Sequence, residues 1–231
     1  MAEVGQWPWP RDKVAQMVKN LQDMGALLVA FDIVFAEEDN RSPHILANNI
    51  KGLDAATKEK LLSLPSNDQI LADVIKRGNK LAMKQGKRRI PIGKVIMGQA
   101  GYWEELDDTG KPPPAKKSFA LLKGKNDPSP SAWVPSFKSL ITNTPVLDKF
   151  AAGHGIFSLV PEPDGIVRRI PMVFKFKERL YPSLTLEMLR VAFGRSTVGI
   201  RSNHLGITEV PIGRFKMPTD NLGRVWPYFS K

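Results

Sequence analysis

The sequence predicts an α/β fold: a mixed β-sheet flanked by helices, with a long irregular insertion around residues 99–145. Three observations carry that expectation. Segments with apolar residues at helical spacing alternate with short β-rich apolar segments. A chain of 231 residues that is 42% hydrophobic can bury a substantial core. The stretch that breaks the alternation is crowded with proline, glycine and charge, as in "DDTGKPPPAKK" and "KNDPSPSAW".

Taken in order, the elements begin after "WPWPR", where Asp12 is placed to cap a helix. Its stripe is Val14, Met17, Val18, Leu21 and Met24, and Gly25 is its stop. Trp7 and Trp9 read as packing anchors at the entry. "LLVAFDIVF" over 27–35 reads as a strand apolar on both faces, as a central strand is. A polar loop leads to helical sequence around 45–63. Ser66 or Asn67 caps the next helix, with Ile70, Leu71, Val74 and Ile75 inward and Gly78 at its end. "KLAM" and "IPIGKVIMG" read as short strands. Beyond the insertion come a short helix after Thr144-Pro145, the strand "HGIFSLV", a turn at Pro163-Asp164-Gly165, and a strand with two adjacent arginines. Pro182 and Ser183 open the helix "SLTLEMLRVAF", which Gly194 closes, and short strands with the turn "TDNLGR" finish the chain. Residues 1–231 read as a single domain.

Composition removes several function classes. The chain has no cysteine, hence no disulfide, thiolate nucleophile or cysteine zinc site. His44, His154 and His204 are loop-like and lack metal-ligand spacing, so no metal is expected. No nucleophile elbow, H-E-x-x-H motif or glycine-rich phosphate loop occurs, and neither a catalytic residue nor a cofactor is expected. The net charge of +11 permits nucleic acid or anionic lipid as partner. The basic clusters at 84–89, 115–119 and 122–125 lack interleaved aromatics, however, and read as solvated loops rather than a nucleic-acid surface. The longest apolar run, from "ALLVAF" to Phe35, is interrupted by Asp32 and falls short of the roughly 20 residues that span a bilayer.

The polar residues inside apolar segments are the candidates for function. In "VPEPDGIVRRIPMVFKF" (160–176), strand alternation groups Arg168 with Ile166, Ile170, Met172 and Phe174, and sends Arg169 outward beside Lys175. An unpaired guanidinium is costly to bury, so Arg168 requires an anion. Asp32 is the lone charge on 27–35, which makes it the first candidate partner and Asp68 the second. The pair is then either a buried structural bridge or the polar part of a ligand pocket. A bulge at Pro171 or near Gly165 would turn Arg169 inward instead. Asp68 also suits the first turn of its helix, and Asp164 suits a Pro-Asp-Gly turn.

The segments "WPWPR", "GALLVAFDIVFAEEDNRSP", "NDQILADVI", "GIFSLVPEPDGIVRRIPMVF", "YPSLTLEMLRVAFG" and "GITEVPIGRFKMPTDNLGRVWPYFS" together resemble the CHASE domain of the second type. The name denotes a cyclase/histidine kinase associated sensory extracellular domain. The resemblance runs from about Gly5 to Ser230, with "FDIVF", "DGIVRR" and "MPTDNLGR" its most specific parts. It implies the extracytoplasmic sensor of a bacterial transmembrane receptor, excised from a longer chain. A helix would precede the domain. Membrane helices and a cytoplasmic cyclase, histidine kinase, diguanylate cyclase or serine/threonine kinase would follow it. The polar positions that match are Arg11, Asp32, Asp68, Asp164, Arg168, Arg169, Ser183 and Asp220. Of these, Asp32, Asp68, Asp164, Arg168, Arg169 and Ser183 form the candidate ligand-binding set. Ser158 stands where the family often has asparagine, with a shorter reach and a different donor set. The expected partner is an unidentified small-molecule or protein signal, sensed by a homodimer in the full receptor. The alternatives are an enzyme, or degenerate enzyme, using Asp32, and a basic module for nucleic acid or anionic lipid.

Overall fold

The computed structural model describes residues 5–85, 88–107, 118–195 and 197–228. The chain opens with helix α1 (Arg11–Asp23), strand β1 (Leu28–Ala30) and helices α2 (Pro43–Asn49), α3 (Ala55–Ser63) and α4 (Asn67–Gly78). Strands β2 (Ala82–Gln85), β3 (Arg88–Pro91), β4 (Lys94–Tyr102), β5 (Ser118–Leu122), β6 (Ser136–Phe137) and β7 (Ser139–Ile141) follow. Then come α5 (Pro145–Asp148), β8 (Gly153–Ile156), β9 (Ile170–Pro171), β10 (Val173–Phe176), β11 (Arg179–Pro182) and α6 (Leu184–Ala192). Strands β12 (Thr197–Asn203), β13 (Gly206–Ile212), β14 (Phe215–Pro218) and β15 (Arg224–Val225) close the described chain. Helices and several mixed sheets thus bear out the α/β class.

Two compact units emerge from this order. The first comprises Met1–Val29, Phe35–Val95 and Asn143–Ala152; the second comprises Ala30–Val34, Ile96–Thr142 and Gly153–Lys231.

In the first unit α1 packs against α4. The inward face of α1 is Arg11, Val14, Ala15, Val18 and Gln22, while Met17 and Met24 are exposed. The expected stripe was therefore rotated, because it left out two polar residues that the fold buries. Asp12 lies in the first turn rather than at the N-cap, which is Pro10. The cap comes from a distance instead: the Asp39 carboxylate accepts the Arg11 N–H at 2.7 Å. At the other end, Gln22 Nε2 donates to the carbonyls of Val74 and Gly93, both at 3.1 Å. Helix α4 starts at Ser66, whose Oγ accepts the Gln69 N–H. A Cβ on Gly78 would lie 1.9 Å from the Gly93 carbonyl oxygen, so this glycine serves close packing.

Around Arg11 lies a buried charge network. One guanidinium nitrogen donates to Asp68 Oδ1 at 2.8 Å, another reaches the Glu37 carbonyl, and the guanidinium carbon lies 5.0 Å from the Phe35 ring centroid. Asp68 Oδ2 accepts the Asp39 N–H at 2.9 Å, and Asn67 Nδ2 donates to Asp39 at 2.9 Å. Arg11, Asp39 and Asp68 are 9%, 8% and 3% exposed, deep enough for an unpaired charge to be costly.

The second unit corrects the reading of 27–35. Only Leu28–Ala30 forms a strand, and Asp32 is exposed. The central strand is β4, with seven of its nine residues buried; it pairs antiparallel with β7 and parallel with β8. Chain that must keep a carboxylate in water cannot hold the centre of a sheet. The expected insertion at 99–145 is also more regular than its composition suggests. It holds the end of β4, all of β5, β6 and β7, and a short 3-10 turn at Pro130–Ala132. Residues 108–117, most of "DDTGKPPPAKK", lie outside the described residues. Strand β5 is recruited by parallel pairing with β12, from Thr197↔Ser118 to Arg201↔Leu122, a partner too distant in sequence for local pattern to reveal.

Helix α6 docks on β8. A Cβ on Gly155 would sit 2.5 Å from the Leu184 Cα, so the helix start touches the strand backbone. Fully buried Glu187 accepts the His154 N–H at 3.2 Å and pairs with Arg190 at 2.9 Å. Burial pushes the Arg190 guanidinium down to about 10.

Replacing Arg11 with methionine leaves buried Asp68 without its cation and takes a nearby positive charge from Asp39. The expected loss is about 3–5 kcal/mol of unfolding free energy, the usual effect of stranding a buried charge. Urea denaturation of the variant checks this; a loss below about 1 kcal/mol would overturn the assignment of Arg11 as the organising cation.

Candidate functional site

Residues 160–176 do not form one strand. The acidic turn ends at Gly165, residues 166–169 belong to no strand, β9 covers Ile170–Pro171, and Met172 interrupts the ladder before β10. Strand parity therefore does not run from Ile166 to Phe176, which explains why the arginines depart from expectation. Arg168 does not meet Asp32 or Asp68. Its side chain is 38% exposed and bridges Asp164 at 2.8 Å and Glu162 at 3.3 Å, within its own turn. Arg169 is the more enclosed of the two, at 25%. Its Nε donates to Glu162 Oε1 at 2.7 Å and a terminal nitrogen to Asp220 Oδ2 at 2.9 Å. Its guanidinium carbon lies 5.3 Å from the Trp226 ring centroid.

Asp220 reaches this cluster because β15 pairs antiparallel with β9, setting Arg224 opposite Pro171 and Val225 opposite Ile170. Its Oδ1 accepts the N–H groups of Leu222 and Arg224, while Oδ2 accepts Arg169 and the Arg224 side chain. Three arginines (168, 169, 224) thus meet three carboxylates (162, 164, 220), and the cluster is formally neutral. The Arg169 hydrogen bond, aided by Arg168 and opposed by desolvation, holds Glu162 below the usual carboxylate range. The Ile166 N–H, and then Arg168, do the same for Asp164.

Beside the cluster, within the second unit, lies a cleft of about 200 Å³. Asp32, Ser158, Arg169, Ser183 and Thr185 supply its polar lining; Ile156, Phe157, Leu159, Val160, Val167, Ile170, Pro171, Phe174 and Leu184 supply the apolar part. Ser183 is the N-cap of α6, its Oγ accepting the Leu186 N–H at 3.2 Å. Ser158 Oγ accepts the Gly101 N–H at 2.7 Å. Both hydroxyls keep a hydrogen to donate. The Asp32 carboxylate makes no hydrogen bond or ion pair among the described residues.

Of the six sequence candidates, Asp32, Arg169 and Ser183 meet at the cleft. Arg168 shares Glu162 with Arg169 and also bridges Asp164. Asp68 belongs to the Arg11 network in the first unit. Sequence reasoning missed Glu162 and Asp39, which lie in acidic loop runs that read as solvated. It also missed Gln99, a fully buried residue of β4 whose side-chain nitrogen and oxygen find no partner among the described residues. The signal was available: Gln99 is the lone uncapped polar side chain within "VIMGQAG", the same cue that singled out Asp32. Trp7, expected as an anchor, is 51% exposed and packs edge-on to Trp9, ring centroids 5.7 Å apart.

Among the described residues no group of three or more histidines, aspartates or glutamates could hold a metal ion. No helix among them is long and apolar enough to cross a membrane. Compared with known proteins, the chain matches a family model described as the CHASE2 domain over residues 1–231. No curated protein and no solved structure matches it.

Arg169 joins segments 51 residues apart, whereas Arg168 bonds only within its turn. Arg169→Met should therefore lower the melting temperature more than Arg168→Met, and equal effects would overturn the clamp. The pH dependence has a definite sign. Glu162 binds its proton less readily folded than unfolded, so its contribution is complete above the unfolded value of about 4.3 and fades as pH falls through the lower folded value. The gap in melting temperature between wild type and Arg169→Met should narrow in that acid range.

Proposed function

Because this chain belongs to the CHASE2 family of extracellular sensory domains, we propose that it is the ligand-sensing part of a bacterial transmembrane receptor and that the cleft of the second unit receives the signal. The family is sensory rather than catalytic. One observation carries the choice of site: the cleft gathers Asp32, Arg169 and Ser183 from separate parts of the chain over an apolar floor. A few placed polar groups on an apolar lining are what a small-molecule site requires.

Coupling follows from the clamp. Arg169 lines the cleft and also holds Asp220 of the turn before β15. A ligand that favours one position of Arg169 biases the position of that turn and of the chain after it. A signal acts only through such a difference in affinity between two states. In the full receptor, a homodimer held by membrane segments outside this chain would carry the bias to a cytoplasmic cyclase, kinase or diguanylate cyclase.

Thr185 is exposed at the cleft and can be enlarged without disturbing the core. Thr185→Trp in the full receptor should abolish the output response while shifting the melting temperature of the isolated chain by no more than about 2 °C, as surface substitutions do. An unchanged response with tryptophan in the cleft would overturn the assignment.

A further inference from the structure

The reading of the cleft as the signal site can be taken one step further, to the chemical class of its occupant. We infer that it takes a small organic cation, an ammonium group on a short apolar body.

Charge balance is the first reason. Arg169, the cation in the lining, is bonded to Glu162 and Asp220, in a cluster whose arginines and carboxylates cancel. Asp32 has no such partner among the described residues. An anionic ligand would meet a repelling Asp32 and an Arg169 already shared between two carboxylates. A cation meets one uncommitted carboxylate.

The lining chemistry agrees. Phe157 and Phe174 border the cleft, and phenyl faces attract cations, quaternary ammonium groups included. Ile156, Ile170 and Leu184 offer apolar surface for the remainder of the ligand. Size limits the class. At about 200 Å³ the cleft falls below the range of drug-sized sites. The occupant is a small amine rather than a polyamine chain or a nucleotide.

The test is an NMR titration of the labelled chain with three probes of matched shape: 3-methylbutylamine, 3-methylbutan-1-ol and 4-methylpentanoate. The amine should bind at least tenfold more tightly than the alcohol, and the carboxylate not at all. Asp32→Asn, an exposed position whose change leaves the core alone, should bring the amine and the alcohol to within about twofold. An alcohol that binds as well as the amine, an amine preference that survives Asp32→Asn, or no binding by the amine would overturn the inference. Thr185→Trp separates this failure from failure of the site. If the alcohol or the carboxylate is the tighter probe and Thr185→Trp blocks it, the cleft stands and the cation is wrong. If Thr185→Trp blocks no probe that binds, the cleft itself is wrong.

Discussion

A single guanidinium shared between two carboxylates holds the cleft side of the second unit. Arg169 is bonded to Glu162 in the acidic turn and to Asp220 in the turn before β15. The strands between them, β9 and β15, are only two residues each, so ladder hydrogen bonds alone give little hold. The ion bridges supply the missing constraint. The cleft wall, the Trp226 contact and the path of the closing segment all follow from it.

The first unit solves a similar problem differently. Arg11 also meets two aspartates, Asp68 through its guanidinium and Asp39 through its backbone N–H, but there all three charges are nearly out of water and the carboxylates take further backbone and amide donors. Such a network is intolerant of losing a member. The Arg168 and Arg169 bridges are open to solvent along one side, so screening weakens them and they can rearrange.

Much of this was legible in the sequence. The α/β class, α4 with its serine cap and α6 behind Ser183 all rest on local signals, namely period and caps. What was not legible depends on partners distant in the chain. Asp39 capping α1, Asp68 meeting Arg11 and β5 joining β12 each need a residue many positions away, and no local pattern records them. The parity argument failed at Arg168 for a related reason: it assumed an uninterrupted strand, and the break at Met172 is fixed by tertiary contacts, including its N–H bonded to Gly223. Even so, the demand that Arg168 meet an anion held. The anions came from the adjoining turns rather than from the sheet's centre.

Gly155 does not itself line the cleft, yet any side chain there would drive the start of α6 off β8 and pull Ser183 and Leu184 out of the cleft's wall. Under the proposed function, a genetic screen for loss of response should therefore recover lesions at this glycine alongside those in the lining. A map of such lesions would trace the scaffold that shapes the cleft as well as the surface that a ligand meets, and the two should not be read as one.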